Sequence, residues 1–336
     1  MLSYNNSLIE EQMKSIRNAK FSNLGFGLFI LLSFQNNARS SEIITTIKPV
    51  YSLVKEIVGN EIAIDLLVEG QQSPHNYQIK PSQLKKINKA KIIFYVSPKI
   101  EHFIAEATKN FSGYHMELAD VGGLEMHAFR KGGAWDVKSP NHKWGPYKAH
   151  EKEIGHEGGK HETEGTMIDP HIWLSPANAK ILSVAIAEKL SLLHPDQGKL
   201  FLENAKKFNR RIDDADRKIA SHLKAFQKNP FIVFHDAYQY FEKHYNLTGS
   251  GSIAIKPDES VSIKRLNEIK GKIKDLNVTC VFKEPQFSEK LVKTVTEDTK
   301  AKISQIDPLG SHLDENDNFY IKLLFSLSKK FGACLR

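Results

Sequence analysis

The sequence predicts an α/β protein of two lobes, each built on parallel strands, joined by one long rigid helix. Three observations predict it. From about residue 41, short apolar runs alternate with amphipathic stretches, the pattern of strand and helix units. That alternation breaks off near residue 126 and a second series starts near residue 231, so there are two series rather than one. Between them, residues 196–226 place Phe201, Ala205, Phe208, Ile212, Ala215, Ile219 and Phe226 at spacings that share one helix face. A chain of 336 residues is long enough for two domains.

Residues 1–40 read as a secretory signal. Lys14, Arg17 and Lys20 precede an apolar run at 24–34, and Ala38 to Ser40 offers small residues for cleavage. Met13 is an alternative start. The run of 11 residues is too short to span the roughly 30 Å of a bilayer, which favours export over an anchor. No cysteine stands just after it to carry a lipid at the mature N-terminus, so the mature chain is expected to be free in the periplasm and not membrane-anchored. Without these residues the net charge falls from +8 to +6. That charge lies in mixed Lys/Glu helices rather than in a basic block, which argues against nucleic-acid binding.

The first lobe, 41–195, is expected to hold strands near 43–47, 62–68, 91–96 and 115–118 and helices near 50–58, 81–89, 100–109 and 178–193. Residues 127–168 interrupt it, and the stretch from His127 to His171 holds six of the fourteen histidines and seven glycines. Such a stretch cannot build a core of its own and is expected to be a mobile surface loop. The linking helix at 196–226 would be about 46 Å long; the plainer alternative is an ordinary helix with one buried face. The second lobe, 227–336, should carry strands near 231–234, 251–255, 278–282 and 303–306 and helices near 263–276, 288–298 and 318–331. Cys280, on a strand, and Cys334, near the end, are the only cysteines. They form either a bridge, worth about 4 kcal/mol on the chain-entropy model, or two buried thiols. Export favours the bridge.

Histidines stand in three patterned contexts: Pro74-His75-Asn76-Tyr77, Asp169-Pro170-His171-Ile172-Trp173 and Phe234-His235-Asp236-Ala237-Tyr238. Asp307 stands in a fourth, Ile306-Asp307-Pro308-Leu309-Gly310. Neutral imidazole is the commonest ligand for zinc, and a closed site needs about four donors. His75, His235 and Asp307 each follow a strand-like run, and in open α/β sheets ligands bind beyond the carboxyl ends of the strands. Two lobes would thus present donors to one cleft. Each residue alone also has a plainer role: turn chemistry for His75 and Asp307, and for His171 a buried imidazole held by a backbone carbonyl.

With their flanking residues these motifs resemble the solute-binding proteins of metal-ion ABC importers, specifically the zinc-binding ZnuA-like branch. Ile47-Lys48-Pro49-Val50, Phe282-Lys283-Glu284-Pro285-Gln286-Phe287 and Ala333-Cys334-Leu335-Arg336 extend the resemblance to nearly the whole mature chain. It implies two pseudo-symmetric lobes on a rigid backbone helix with Zn2+ between them. His75, His171 and His235 would be ligands, and a membrane permease the partner of a monomeric carrier that is not an enzyme. The fourth donor would be Asp307 or a water, since Pro74 stands where some members place Glu. The cysteine pair resembles a feature of the same branch. Relatives that bind manganese have Glu in place of His235, and three imidazoles favour zinc over that harder ion. The insertion resembles an accessory metal-gathering loop, with His127, His142, His150, His156 and His161 as its donors. Their wide spacing implies weak binding, and a solvated linker explains them equally well.

Two rivals of other classes remain. A zinc hydrolase also uses three histidines with an open position, but the chain has no His-Glu-x-x-His motif. Its best general base, Glu284, is better placed to orient a ligand. An adhesin would need no metal cleft. The long helix implies that opening is small and local to the ligand loops.

Overall fold

The structure, a computed structural model, describes residues 41–130, 134–135, 168–255, 257, 260–315 and 318–336. The expected signal at 1–40, the alternative start Met13, and His142, His150, His156 and His161 lie outside the described residues. The first sheet holds β1 (Ile43–Thr45), β2 (Ile64–Leu66), β3 (Ile92–Tyr95) and β4 (Tyr114–Glu117), all parallel, in the order β2-β1-β3-β4. The second holds β5 (Phe231–Val233), β6 (Gly249–Ser252), β7 (Cys280–Lys283) and β8 (Lys302–Gln305), again parallel, in the order β6-β5-β7-β8. The two sheets share one topology, so their carboxyl ends carry equivalent loops. This is the α/β architecture expected from the two series.

Around the first sheet lie α1 (Lys48–Val58), α2 (Pro81–Ile87) and α3 (Ile104–Thr108); α4 (Pro176–Leu193) and α5 (Gly198–Leu223) follow. The second series carries α6 (Gln239–His244), α7 (Ile263–Asp275), α8 (Lys290–Thr296) and α9 (Phe319–Leu335). Three departures from the sequence expectation have local causes. Helix α5 has 26 residues, about 39 Å, because each end tightens into a 3-10 turn, Pro195–Gln197 and Lys224–Phe226. Helix α3 starts later than residue 100, because the buried Glu101 carboxylate accepts the backbone N–H groups of Val96 and Ser97 and holds a turn there. Strand β6 starts at Gly249, and its register shifts so that Ile253 and Ala254 donate to Val233 and Phe234.

Period-two alternation splits the second sheet between two cores. Phe231, Val233, Cys280 and Phe282 face the main core, whereas Ile232, Phe234 and Val281 face a smaller cluster with Ile269, Ile273, Val292 and Val295 of α7 and α8. The main core is continuous from the first sheet through α4, α5 and α9 to the second. Helix α5 buries Phe201, Ala205, Phe208, Ile212, Ala215, Ile219 and Leu223 and packs on α1, α4 and α9. It is a shared core element more than a free-standing strut. Cys280 on β7 is bonded to Cys334 on α9, so the last helix is tied covalently to a central strand. No helix among the described residues is long and apolar enough to cross a membrane.

Candidate metal centre

Loops from the carboxyl ends of both sheets wall a small pocket. Pro74 and His75 follow β2, Ile100 follows β3, His235 follows β5, Glu284, Gln286 and Phe287 follow β7, and Pro308 and Leu309 follow β8. His171 and Trp173 complete the wall just before α4. The local folding follows from sequence. Ser73 accepts the His75 N–H at 3.3 Å, and Pro74 starts a one-turn 3-10 helix that turns His75 inward. Ser175 caps α4 by accepting from Asn178. Trp173 Nε1 donates to the Pro308 carbonyl at 2.9 Å, pinning the His171 segment to the loop after β8.

The structure brings His75, His171 and His235 together. Their ring centroids lie 5.6, 5.4 and 5.3 Å apart, and one nitrogen from each lies within 4.8 Å of the other two. Tetrahedral zinc would hold such nitrogens roughly 3.4 Å apart, a closure that side-chain rotation can supply.

Two of the three imidazoles are oriented by buried carboxylates. Asp169 Oδ1 lies 2.7 Å from His171 Nδ1 and also accepts the His171 backbone N–H at 3.0 Å. Glu284 Oε1 lies 2.8 Å from His235 Nδ1. A carboxylate on Nδ1 favours the tautomer with its proton there and leaves the Nε2 lone pair for a cation. Nε2 of both rings is buried with no hydrogen-bond partner. Among the described residues, no carboxylate bonds the His75 ring. Its burial and the neighbouring His235 and His171 hold its pKa well below the ordinary 6.5. Burial pushes His235 down too, but the adjacent Glu284 outweighs it and raises the pKa above 6.5.

Asp307 does not join the three histidines. Its Oδ1 accepts from Gln286 Nε2 at 2.8 Å and Leu309 N at 3.0 Å; its Oδ2 accepts from Ser311 N and Ser311 Oγ, each at 2.6 Å. A carboxylate engaged four times fixes its own loop, and Asp307 is absent from the grouped donors. His127, the one described histidine of the insertion, is also apart: it lies against Tyr240 and 3.3 Å from Glu125. Glu284 stands against Nδ1 of His235, one of the expected ligands. Asp169 is not singled out by the sequence reading, although it stands in the quoted motif. Its signal was the Asp two residues before a buried His, placed for an Asx-type turn that returns its carboxylate to that residue.

Residues 43–334 match the family described as ZnuA, zinc-uptake complex component A periplasmic. The chain is 36% identical over 317 residues to the high-affinity zinc uptake system protein ZnuA of Brucella abortus, covering 87% of this chain and 91% of that protein. Its fold is similar to a crystal structure of ZnuA, with a TM-score of 0.69 at 22% identity over 88% of this chain and all of that one. It is equally similar to a Zn(II)-bound variant of AdcAII from Streptococcus pneumoniae, with a TM-score of 0.69 at 22% identity over 89% of this chain and 100% of that one.

Proposed function

The chain belongs to the ZnuA family of zinc-uptake components, and from that premise we propose that it captures one Zn2+ with His75, His171 and His235 and delivers it to an ABC-type membrane importer. The observation that carries the reading is the convergence of three imidazoles with two Nε2 atoms buried and unpartnered. A buried polar atom left without a partner costs about 1–3 kcal/mol, and a cation satisfies both at once. Three neutral nitrogens suit zinc better than manganese, magnesium or calcium, which prefer oxygen. A water takes the fourth position, because Asp307 is committed to four loop donors. The work is carriage: the ion is held without a bond being broken, and Glu284 serves by orienting His235.

In the same reading, residues 1–40 direct export and the mature chain works in the periplasm as a monomer. Residues 41–195 and 227–336 form its two lobes on either side of the 196–226 linking segment. The described residues fit this with a disulfide suited to an oxidising compartment. Isothermal titration at pH 7.5 tests the site: wild-type protein should bind one Zn2+, and His75→Ala and His171→Ala should each lose most of that affinity. Unchanged affinity in either variant overturns the assignment. Fractionation of the expressing cells tests the location.

A further inference from the structure

Arg130 sits far from the three histidines in sequence, yet it grips residues beside one of them. Its Nε lies 3.1 and 3.0 Å from the two carboxylate oxygens of Asp236, the residue that follows His235. Its Nη2 lies 3.2 Å from Glu242 Oε1 on α6. Both acids are buried, and the guanidinium lies 3.3 Å from the centre of the Trp135 ring. Room for the Glu242 carboxylate comes from Gly249, where a Cβ would lie 2.1 Å from Glu242 Oε2.

The residues just before Arg130 hold the other side of the pocket. Ala128 pairs with Ile168 in an antiparallel bridge, and the His127 carbonyl accepts the Asp169 N–H at 2.8 Å. Gln239 Nε2 reaches both the Ala128 carbonyl, at 3.0 Å, and Asp169 Oδ2, at 3.2 Å. Tyr240 Oη donates to the Asp169 carbonyl at 2.7 Å and accepts the His127 N–H at 3.2 Å. Asp169 is the carboxylate that orients His171.

Beyond Arg130, Ala134 is seated in the smaller core of the second sheet. Its carbonyl accepts Ser252 N at 3.1 Å and Arg265 Nη2 at 2.6 Å. A Cβ on Gly251 would lie 2.4 Å from the Ala134 Cβ, so this seat exists only because Gly251 has no side chain.

Residues 127–130 and 134–135 therefore touch the neighbours of two imidazoles that come from different series of the chain. We propose that Arg130 is a positioning residue for the metal centre, clamping Asp236 beside His235 to the segment that holds Asp169 behind His171 and so fixing the distance between the two rings. This rests on the zinc-binding reading of the three histidines. The ion pair itself need not add to net stability, since burying three charges costs roughly what their attraction returns. Its effect is geometric: the positions of two ligand loops are set by one side chain.

The test uses the full chain with Zn2+ and with Co2+ as a spectroscopic substitute. Wild-type protein should bind one Co2+ with the intense visible bands of a tetrahedral site; their absence would sink the parent reading rather than this one. Arg130→Met should release zinc to a chelator on the order of tenfold faster, the lower end for residues that support metal ligands, and should shift the cobalt bands. Arg130→Lys, which keeps the charge but not the two-sided grip, should fall between. Gly251→Ala disturbs the far end of the same segment while leaving every charge in place, and should act in the same direction. If Arg130→Met does not fold, Gly251→Ala decides alone. Folded variants with wild-type release rates and wild-type cobalt bands overturn the proposal, even if their melting temperatures fall, because that result is purely structural.

Discussion

His171 and His235 differ from His75 in what stands behind them. The first two are buried, and each offers Nδ1 to a carboxylate, from Asp169 and Glu284. His75 is half-buried, and among the described residues its hydrogen bonding is through its backbone N–H, at the start of its one-turn helix. On the proposed function, two ligands are thus set before any ion arrives, and the third can rotate to meet it. Such a division suits a carrier: preorganised donors lower the cost of capture, and one adjustable donor gives the ion a way out. With the main core continuous through both sheets, the adjustment belongs to a ligand loop rather than to a wide hinge.

Several substitutions separate the two kinds of ligand. His235→Ala and His171→Ala should abolish tight zinc binding and also destabilise the metal-free protein by about 1–3 kcal/mol, because each leaves a buried carboxylate without its imidazole. His75→Ala should lose zinc equally but change metal-free stability by less than about 1 kcal/mol. Thermal unfolding in chelator reads the difference, and equal melting temperatures for all three variants would erase the distinction. Next in size, Glu284→Gln and Asp169→Asn should weaken zinc about 10- to 100-fold while keeping every ligand; titration against a competing chelator measures it.

The pH response follows from the same asymmetry. The raised pKa of His235 means that protons compete with zinc there first, from above pH 6.5 downward. Affinity should then fall about tenfold per pH unit while one proton is displaced. Glu284→Gln removes the group that raises this pKa, so the onset should move to lower pH. His75, held well below 6.5, bears instead on the stability of the metal-free fold. Below 6.5 the unfolded chain takes up a proton that the folded His75 refuses, so its contribution is present above 6.5 and lost as pH falls. A metal-free melting curve at pH 5.5 and 7.5 should show His75→Ala less sensitive to acid than wild type. Smallest for zinc is the disulfide. Cys280→Ala/Cys334→Ala should cost about 4 kcal/mol of stability for a bridge spanning 54 residues, with zinc affinity changed less than threefold, since neither cysteine lines the pocket.

The strands and helices follow closely from apolar periodicity because each series buries its runs in the ordinary way. The elements depart from periodicity where other contacts override it: Glu101 captures two backbone N–H groups and delays α3, and the register shift at β6 moves that strand toward Gly249. The three histidines could be named from their motifs, as could Glu284. Asp307 could be named too, but not its fate, because which donors a carboxylate accepts depends on loop geometry. Its four donor groups belong to Gln286, Leu309 and Ser311; the first two stand in quoted motifs, but nothing in the sequence aims them at Asp307. Arg130 carried no signal at all, since its partners Asp236 and Glu242 lie more than 100 positions away.

The division between fixed and adjustable ligands is tested most directly by crystal structures of the protein with and without Zn2+, the ion located by anomalous scattering. One zinc should lie about 2.0–2.1 Å from a nitrogen of each of His75, His171 and His235. His171 and His235 should keep their carboxylate partners and positions between the two structures, and His75 should show the largest ring movement. A zinc bound without His75, or a centre in which His171 and His235 rearrange while His75 stays in place, would contradict the account.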